Sequence, residues 1–212
     1  MDYITNNILG KPEVVGEIKS ISPMPKNSLL GENPNCNFVA DIMKNELNTD
    51  IALINSGNMR ASFEVGHLST RDITALAPLN NKMCIIKMTE KELIDALKVG
   101  AKSTLEQDSS PGILQVSGLR YKMNKSGELT EIKFIDKDGK ENLIDVNNPN
   151  VFKTYTVALD DFVAKGGNNY MTNHWDNAIA KYDFDKDKLV IDYLKKFNTP
   201  IEIKTDGRIQ IS

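Results

Sequence analysis

Asn55, Gly57 and Arg60 fall in the run NSGNMR, directly after the apolar stretch IALIN. A carboxamide, two backbone N–H groups around a glycine, and a guanidinium, placed where a strand gives way to a loop, are the parts of a grip on a small polar ligand. A second run, FVAKGGNNY, sets the ring of Phe162 ahead of Gly166, Gly167 and the amide of Asn168. A purine needs a stacking face and a donor and acceptor for its edge, and Phe162 with Asn168 offers both. The glycine pair lets backbone approach a planar ring closely. On spacing alone, each run also reads as an ordinary turn.

The remaining reactive side chains supply no catalytic centre. A two-metal hydrolytic site needs several imidazoles and bridging carboxylates converging on one point. The chain has two histidines, His67 and His174, each in a polar stretch and each read as a surface or half-buried side chain. Cys36 stands at a predicted helix N-terminus, which would lower its pKa. With no histidine near it in sequence, a buried structural thiol is the preferred reading. Cys36 and Cys84 neither require nor exclude one disulfide, and no metal-binding Cys/His spacing is present. The run DKDGK has too few ligands for a calcium loop and reads as a solvated turn. No residue of this chain is therefore assigned as catalytic or metal-binding.

Composition narrows the partners. The chain has 212 residues, 40% of them hydrophobic, enough to bury a full core, and a net charge of −3. An acidic chain lacks the clustered cations that hold a nucleic-acid backbone, so any phosphate must be met locally. The arginines are Arg60, Arg71, Arg120 and Arg208, so a planar fork for an anion is available at few places. The opening residues show no basic stretch followed by an apolar core, and no run has the length of a membrane span. The chain as it stands reads as soluble, and a leader ahead of an upstream domain would lie outside it.

The elements that must position these residues follow from periodicity. VVGEIKSI alternates as an entering strand, and Phe38, Val39, Ile42, Met43 and Leu47 form one stripe of a helix from Cys36 to Leu47. IALIN suits a strand buried on both faces. Ser69 or Thr70 caps a short helix that Pro78 stops, and KMCIIKM is the next strand. Thr89 with Glu92 is a capping box opening a helix that carries Leu93, Ile94 and Leu97, with Gly100 as its expected stop. Residues 101–113 read as loop. ILQVSGLRYKM, LTEIKFID and VFKTYTVALD read as strands of a mixed sheet, Asp187 as the cap of a last helix, and RIQIS as a closing strand. The expected fold is α+β, a single domain over 1–212 with a mixed β-sheet core flanked by helices, residues 1–30 being a leading linker and first strand.

Taken in order, ENPNCNFVADIM, DIALINSGNMRASFEVGHLSTRDI, APLNN, ILQVSGLRY, VALDDFVAKGGNNY and GRIQIS resemble the C-terminal domain of the 5'-nucleotidase family. The similarity covers essentially the whole chain. It implies a division of labour: an N-terminal metallophosphoesterase domain, absent here, holds two divalent metal ions and hydrolyses the phosphate ester, while this domain binds nucleoside or nucleotide. It further implies that Asn55 and Arg60 grip the ribose and phosphate side, and that Phe162 is one of two rings sandwiching the base. Gly57, Leu79, Asn81, Gly166, Gly167 and Asn168 complete the implied substrate-binding set. Family members are periplasmic, cell-surface or secreted. On this reading the chain alone hydrolyses nothing.

Three positions depart from the family pattern. Leu79 stands where the other stacking Phe belongs, and an aliphatic side chain has no matching π face. Asn168 replaces an Asp, and Ser28 to Gly31 lack the arginine expected shortly before the Glu that matches Glu32. Two alternatives share the same residues: a non-nucleotide or cyclic-nucleotide hydrolase of the same architecture, and a binding or surface module without catalysis.

Overall fold

A computed structural model describes residues 12–105, 111–197 and 199–212, so residues 1–11 of the expected leading linker lie outside the described residues. The chain runs through β1 (Val14–Ile21), α1 (Pro34–Glu46), β2 (Ile51–Asn55), β3 (Gly66–Ser69), α2 (Thr70–Leu76), β4 (Lys82–Thr89) and α3 (Glu90–Lys102). It continues through β5 (Leu114–Ser117), β6 (Leu119–Met123), β7 (Leu129–Ile135), β8 (Glu141–Ile144), β9 (Thr154–Asp160) and α4 (Asp161–Ala164). The last elements are β10 (Ala180–Asp185), α5 (Lys186–Lys196), β11 (Ile201–Ile203) and β12 (Ile209–Ile211).

The strands form three mixed sheets, ordered β11-β1-β3, β10-β4-β9-β2-β5 and β12-β6-β7-β8. The five-stranded sheet is central because β2, β4 and β9 send apolar side chains into cores on both of its faces. Along β2, Ile51 and Leu53 join one core with Ile86, Leu93 and Leu97, while Ala52 and Ile54 join a second with Val39, Met43 and Val190. Period-two alternation thus sends successive residues into different cores, which is why IALIN carries no polar side until Asn55. Each fully buried Ile or Leu contributes about 1.5–3 kcal/mol relative to exposure. The fold is α+β, with mixed sheets and flanking helices.

Local signals account for most helix ends. Asn33 caps α1 by accepting from the N–H groups of Asn35 and Cys36. Ser69 and Asp72 form a reciprocal capping box on α2, as Thr89 and Glu92 do on α3. Several expectations are corrected. Gly100 does not stop α3, which runs to Lys102. It is a packing glycine, since a Cβ there would lie 3.0 Å from Gly112 O and Ile113 Cα. Asp185, not Asp187, caps α5 by accepting from Lys188 N at 3.0 Å. The run ILQVSGLRYKM divides into β5 and β6 at Gly118, whose φ of +78 no side chain adopts easily. β9 begins only at Thr154, because Asn150 Oδ1 accepts from Phe152 N and Lys153 N and holds a turn there. Within the expected loop 101–113, Ala101 and Lys102 end α3, Ser103–Leu105 form a 3₁₀ turn, and residues 106–110 lie outside the described residues. The short strands β3, β8, β10 and β11 carry too few apolar residues to stand out in the sequence.

Candidate ligand site at one edge of the central sheet

Topology brings the two glycine-bearing runs together. β2 and β9 are parallel neighbours, so both end at the same edge of the sheet, and β4, antiparallel to β9, begins there. Three loops therefore converge: residues 55–60 after β2, residues 77–81 before β4, and residues 161–170 after β9. This is where an open sheet with a parallel pair presents loops to a ligand.

Between the loops lies a cavity of about 450 Å³ lined by Leu29, Asn55, Gly57, Arg60, Leu79, Asn81, Pro111, Phe162 and Asn168. Seven of the nine residues singled out from the sequence are among these, and Gly166 and Gly167 are not. The two glycines lie behind Phe162 and shape its perch. Gly166 has φ +92, and a Cβ on Gly167 would come within 2.6 Å of Phe162 Cε1 and Phe162 O. Only a residue without a side chain lets this ring rest on the loop. Asn168 holds φ 57, a left-handed conformation that Asn tolerates better than most. Phe162 is left 41% exposed and Leu79 48% exposed, so both present apolar surface to the cavity.

Leu29 and Pro111 were not marked by the sequence. Leu29 arrives through its backbone, whose carbonyl accepts from Ile113 N at 2.8 Å, and Pro111 through Tyr170, whose buried hydroxyl donates to the carbonyls of Pro111 and Gly112 at 2.9 and 2.8 Å. Neither position carries a local signal. Burial holds the Tyr170 hydroxyl well above its ordinary pKa, which keeps it a donor.

Arg60 is the one charged side chain among the described lining residues. Its backbone N–H donates to Leu76 O at 2.7 Å, tying it to the C-terminus of α2, and its side chain is exposed. The polar residues of the rim, Asn55, Asn81 and Asn168, are all carboxamides.

Beneath the cavity is a buried ion pair that the sequence did not point to. Asp160 and Lys186 are 3% and 4% exposed, with Nζ to Oδ2 2.9 Å apart. Asp160 Oδ2 also accepts from Asn58 Nδ2 at 2.7 Å and Asn81 Nδ2 at 3.5 Å, while Oδ1 accepts from Val163 N at 3.0 Å and caps the turn that carries Phe162. Gln115 braces the first loop from the other side, donating to Ser56 Oγ at 2.9 Å and Gly31 O at 2.8 Å.

The other reactive groups stand apart from the cavity. His67 is exposed on β3, and His174 Nε2 lies 3.7 Å from Glu92 Oε1. Cys36 and Cys84 are free and buried in different cores. The expected lowering of the Cys36 pKa is overturned, because burial pushes the thiol well up and the charge of Lys186 recovers only part. Cys84 is pushed up to about 12, first by burial and then by Asp160 and Asp161. Among the described residues, no group of three or more His, Cys, Asp or Glu could hold a metal ion, and no helix is long and apolar enough to cross a membrane.

The sheet order, the converging loops and the cavity define an α+β domain with a candidate site at one sheet edge, and the known proteins that resemble it give it a family. The chain matches the 5'-nucleotidase C-terminal domain over residues 14–174 and belongs to that family. It is 27% identical over 188 residues to the trifunctional nucleotide phosphoesterase protein YfkN of Bacillus subtilis, covering 82% of this chain and 12% of that protein. It is 30% identical over 123 residues to the protein UshA of Escherichia coli, covering 57% of this chain and 20% of that protein. In structure it resembles the 5'-nucleotidase precursor of Thermus thermophilus, with a TM-score of 0.82 at 23% identity over 99% of this chain and 41% of the other. At that identity the structural likeness is one of fold. The chain thus spans less than half the length of each protein it matches here.

Proposed function

We propose that this chain is the substrate-binding domain of a 5'-nucleotidase-type phosphoesterase and holds the nucleoside part of a nucleotide in the cavity at the edge of the central sheet. The observation that carries this reading is the composition of that cavity: one aromatic face on Phe162, aliphatic walls from Leu29, Leu79 and Pro111, three carboxamides and a single arginine. A base stacked on Phe162 gains about 1–3 kcal/mol. Its edge and sugar meet carboxamides, and a phosphate meets Arg60 in a charge-assisted contact. Gly57 leaves room for the ligand to approach backbone.

Hydrolysis is assigned to an upstream metallophosphoesterase domain with two divalent ions. The described residues here supply no ligand set for them. Their chemistry is to activate water and neutralise the phosphoryl oxygens. This chain's part is to bind and orient. On this reading the setting is periplasmic, cell-surface or secreted.

A titration of the chain with adenosine, AMP and inorganic phosphate, followed by backbone amide chemical shifts, tests the reading. Saturable adenosine binding that is lost in Phe162→Ala is the expected result. No response to adenosine or AMP at about millimolar concentration, where even a weak specific site is occupied, would overturn it. A response to phosphate alone would favour a non-nucleotide hydrolase, the reading that the aliphatic Leu79 suits.

A further inference from the structure

Carboxamides can present either a donor or an acceptor to a ligand, so something must fix which way each one faces. Asp160 is placed to do this. A carboxylate only accepts, so the amides that touch it must turn their nitrogens inward. Asn58 is fully buried and gives Nδ2 both to Asp160 Oδ2 at 2.7 Å and to Asn55 Oδ1 at 3.2 Å. Its own Oδ1 is buried without a hydrogen-bond partner among the described residues, so the donor end alone holds the group. Asn55 Oδ1 is thereby occupied, and Asn55 Nδ2 lies toward Gly57 on the cavity wall, 3.9 Å from where a Cβ would stand. Asn81 likewise spends Nδ2 on Asp160 Oδ2, at 3.5 Å, leaving Oδ1 as the atom that can meet a ligand.

We propose that Asp160 is a positioning residue that sets the hydrogen-bond polarity of the ligand site, making Asn55 a donor and Asn81 an acceptor, although Asp160 itself does not line the cavity. The proposal rests on the ligand-binding reading above. Lys186 balances the carboxylate in the dry interior, and the cap on Val163 N ties the same group to the perch of Phe162. A buried ion pair is weak evidence for stability, since apolar replacements of similar volume are often as stable. Its use here is directional. The matching ligand places an acceptor beside Asn55 and a hydroxyl or amine donor beside Asn81.

The test compares the wild-type chain with Asn58→Leu, which leaves the Asp160–Lys186 pair intact, and with the charge-neutral double variant Asp160→Asn/Lys186→Met. Glu90→Gln serves as a control for lost stability, since the buried Glu90 carboxylate accepts from the buried Tyr155 hydroxyl and from Asn150 N away from the cavity. Adenosine affinity is expected to fall about tenfold or more in Asn58→Leu and in the double variant, and to stay within about twofold in Glu90→Gln at a comparable loss of Tm. A ligand-free signature accompanies this: a nuclear Overhauser effect between the Asn55 side-chain amide protons and the Gly57 α-protons, present in the wild type and lost in Asn58→Leu. Unchanged affinity with an unchanged Overhauser effect in a folded Asn58→Leu overturns the proposal, whatever the fate of the double variant. Should the wild type bind no adenosine, the nucleoside reading falls. The Overhauser effect then decides the positioning role alone, its loss in Asn58→Leu supporting it and its persistence overturning it.

Discussion

Arg60 and Arg208 carry the same side chain into opposite surroundings. Arg208 is half enclosed near the C-terminus, where Nη1 and Nη2 donate to both oxygens of Asp41 at 2.8 and 3.1 Å, Nε and Nη2 donate to Asp206 at 3.0 and 3.1 Å, and Nη1 also reaches Val116 O. Burial would lower its pKa, but the two carboxylates outweigh this and hold it up. Arg60 has no carboxylate within ion-pairing distance among the described residues, and its side chain stands at the mouth of a cavity. A guanidinium with every donor engaged is a structural clamp, and one held only by its backbone is available to a ligand. Residue type marked both arginines equally; their surroundings separate them.

Removing the clamp is expected to have the largest effect. Arg208→Ala leaves Asp41 and Asp206 without their common cation and should cost about 2–4 kcal/mol, read as a fall in Tm, while folded protein keeps its adenosine affinity. The clamp also predicts acid sensitivity. Burial acts to raise the Asp206 pKa, yet bonds and charge from Arg208 leave it lowered, so its contribution is present above the ordinary aspartate range and is lost as pH falls through the folded value. At the cavity, Phe162→Ala should weaken adenosine and AMP alike by about 1–3 kcal/mol, with little change in Tm because the ring is partly exposed. Arg60→Ala sharpens the contrast with Arg208: it should weaken AMP and phosphate by about 1–2 kcal/mol, leave adenosine unchanged and leave Tm unchanged. Equal losses for adenosine and AMP would mean that Arg60 does not meet a phosphate.

The smallest expected effect is at Asp187, beside the buried pair. Burial, then the charge of Asp185, raises its pKa to about 6, while a bond from Thr74 and the charge of Lys186 oppose the rise. The native state then holds a proton that the unfolded chain has released, so stability falls as pH rises from the ordinary aspartate value to about 6. Asp187→Asn should stabilise the chain at pH 8 by on the order of 1 kcal/mol after solvent screening and change nothing at pH 3, as denaturant unfolding at the two pH values would show.

Legibility followed the range of the interactions. The capping boxes at Ser69 and Thr89 join residues three apart, and the stripe of α1 recurs each turn, so both can be read from a short window of sequence. Gly100 and Asp187 misled for the same reason that made them attractive. Each has the right residue type near a helix end, but close packing against Ile113 decides the first, and Asp185, two residues earlier, takes the cap of the second. The loops of the candidate site were marked by Asn55, Arg60, Phe162 and the glycine pair. Leu29 and Pro111 were not, because what brings them to the cavity is hydrogen bonding of their own carbonyls to residues far along the chain.

The sequence by itself determined which stretches are helix, which are buried strand, where the two glycine-bearing loops fall, and the family to which the chain belongs. Only the tertiary structure decided that these loops share one sheet edge, that Arg208 is consumed while Arg60 is left over, and that Asp160 lies between Lys186 and Asn58. Asn58 and Asp160 are 102 residues apart in the chain and 2.7 Å apart in the fold. Nothing in either residue's neighbours encodes that approach. It arises because β2 and β9 pair in parallel inside a sheet buried on both faces, and an acceptor-only carboxylate placed there meets whatever donors the adjoining loops provide.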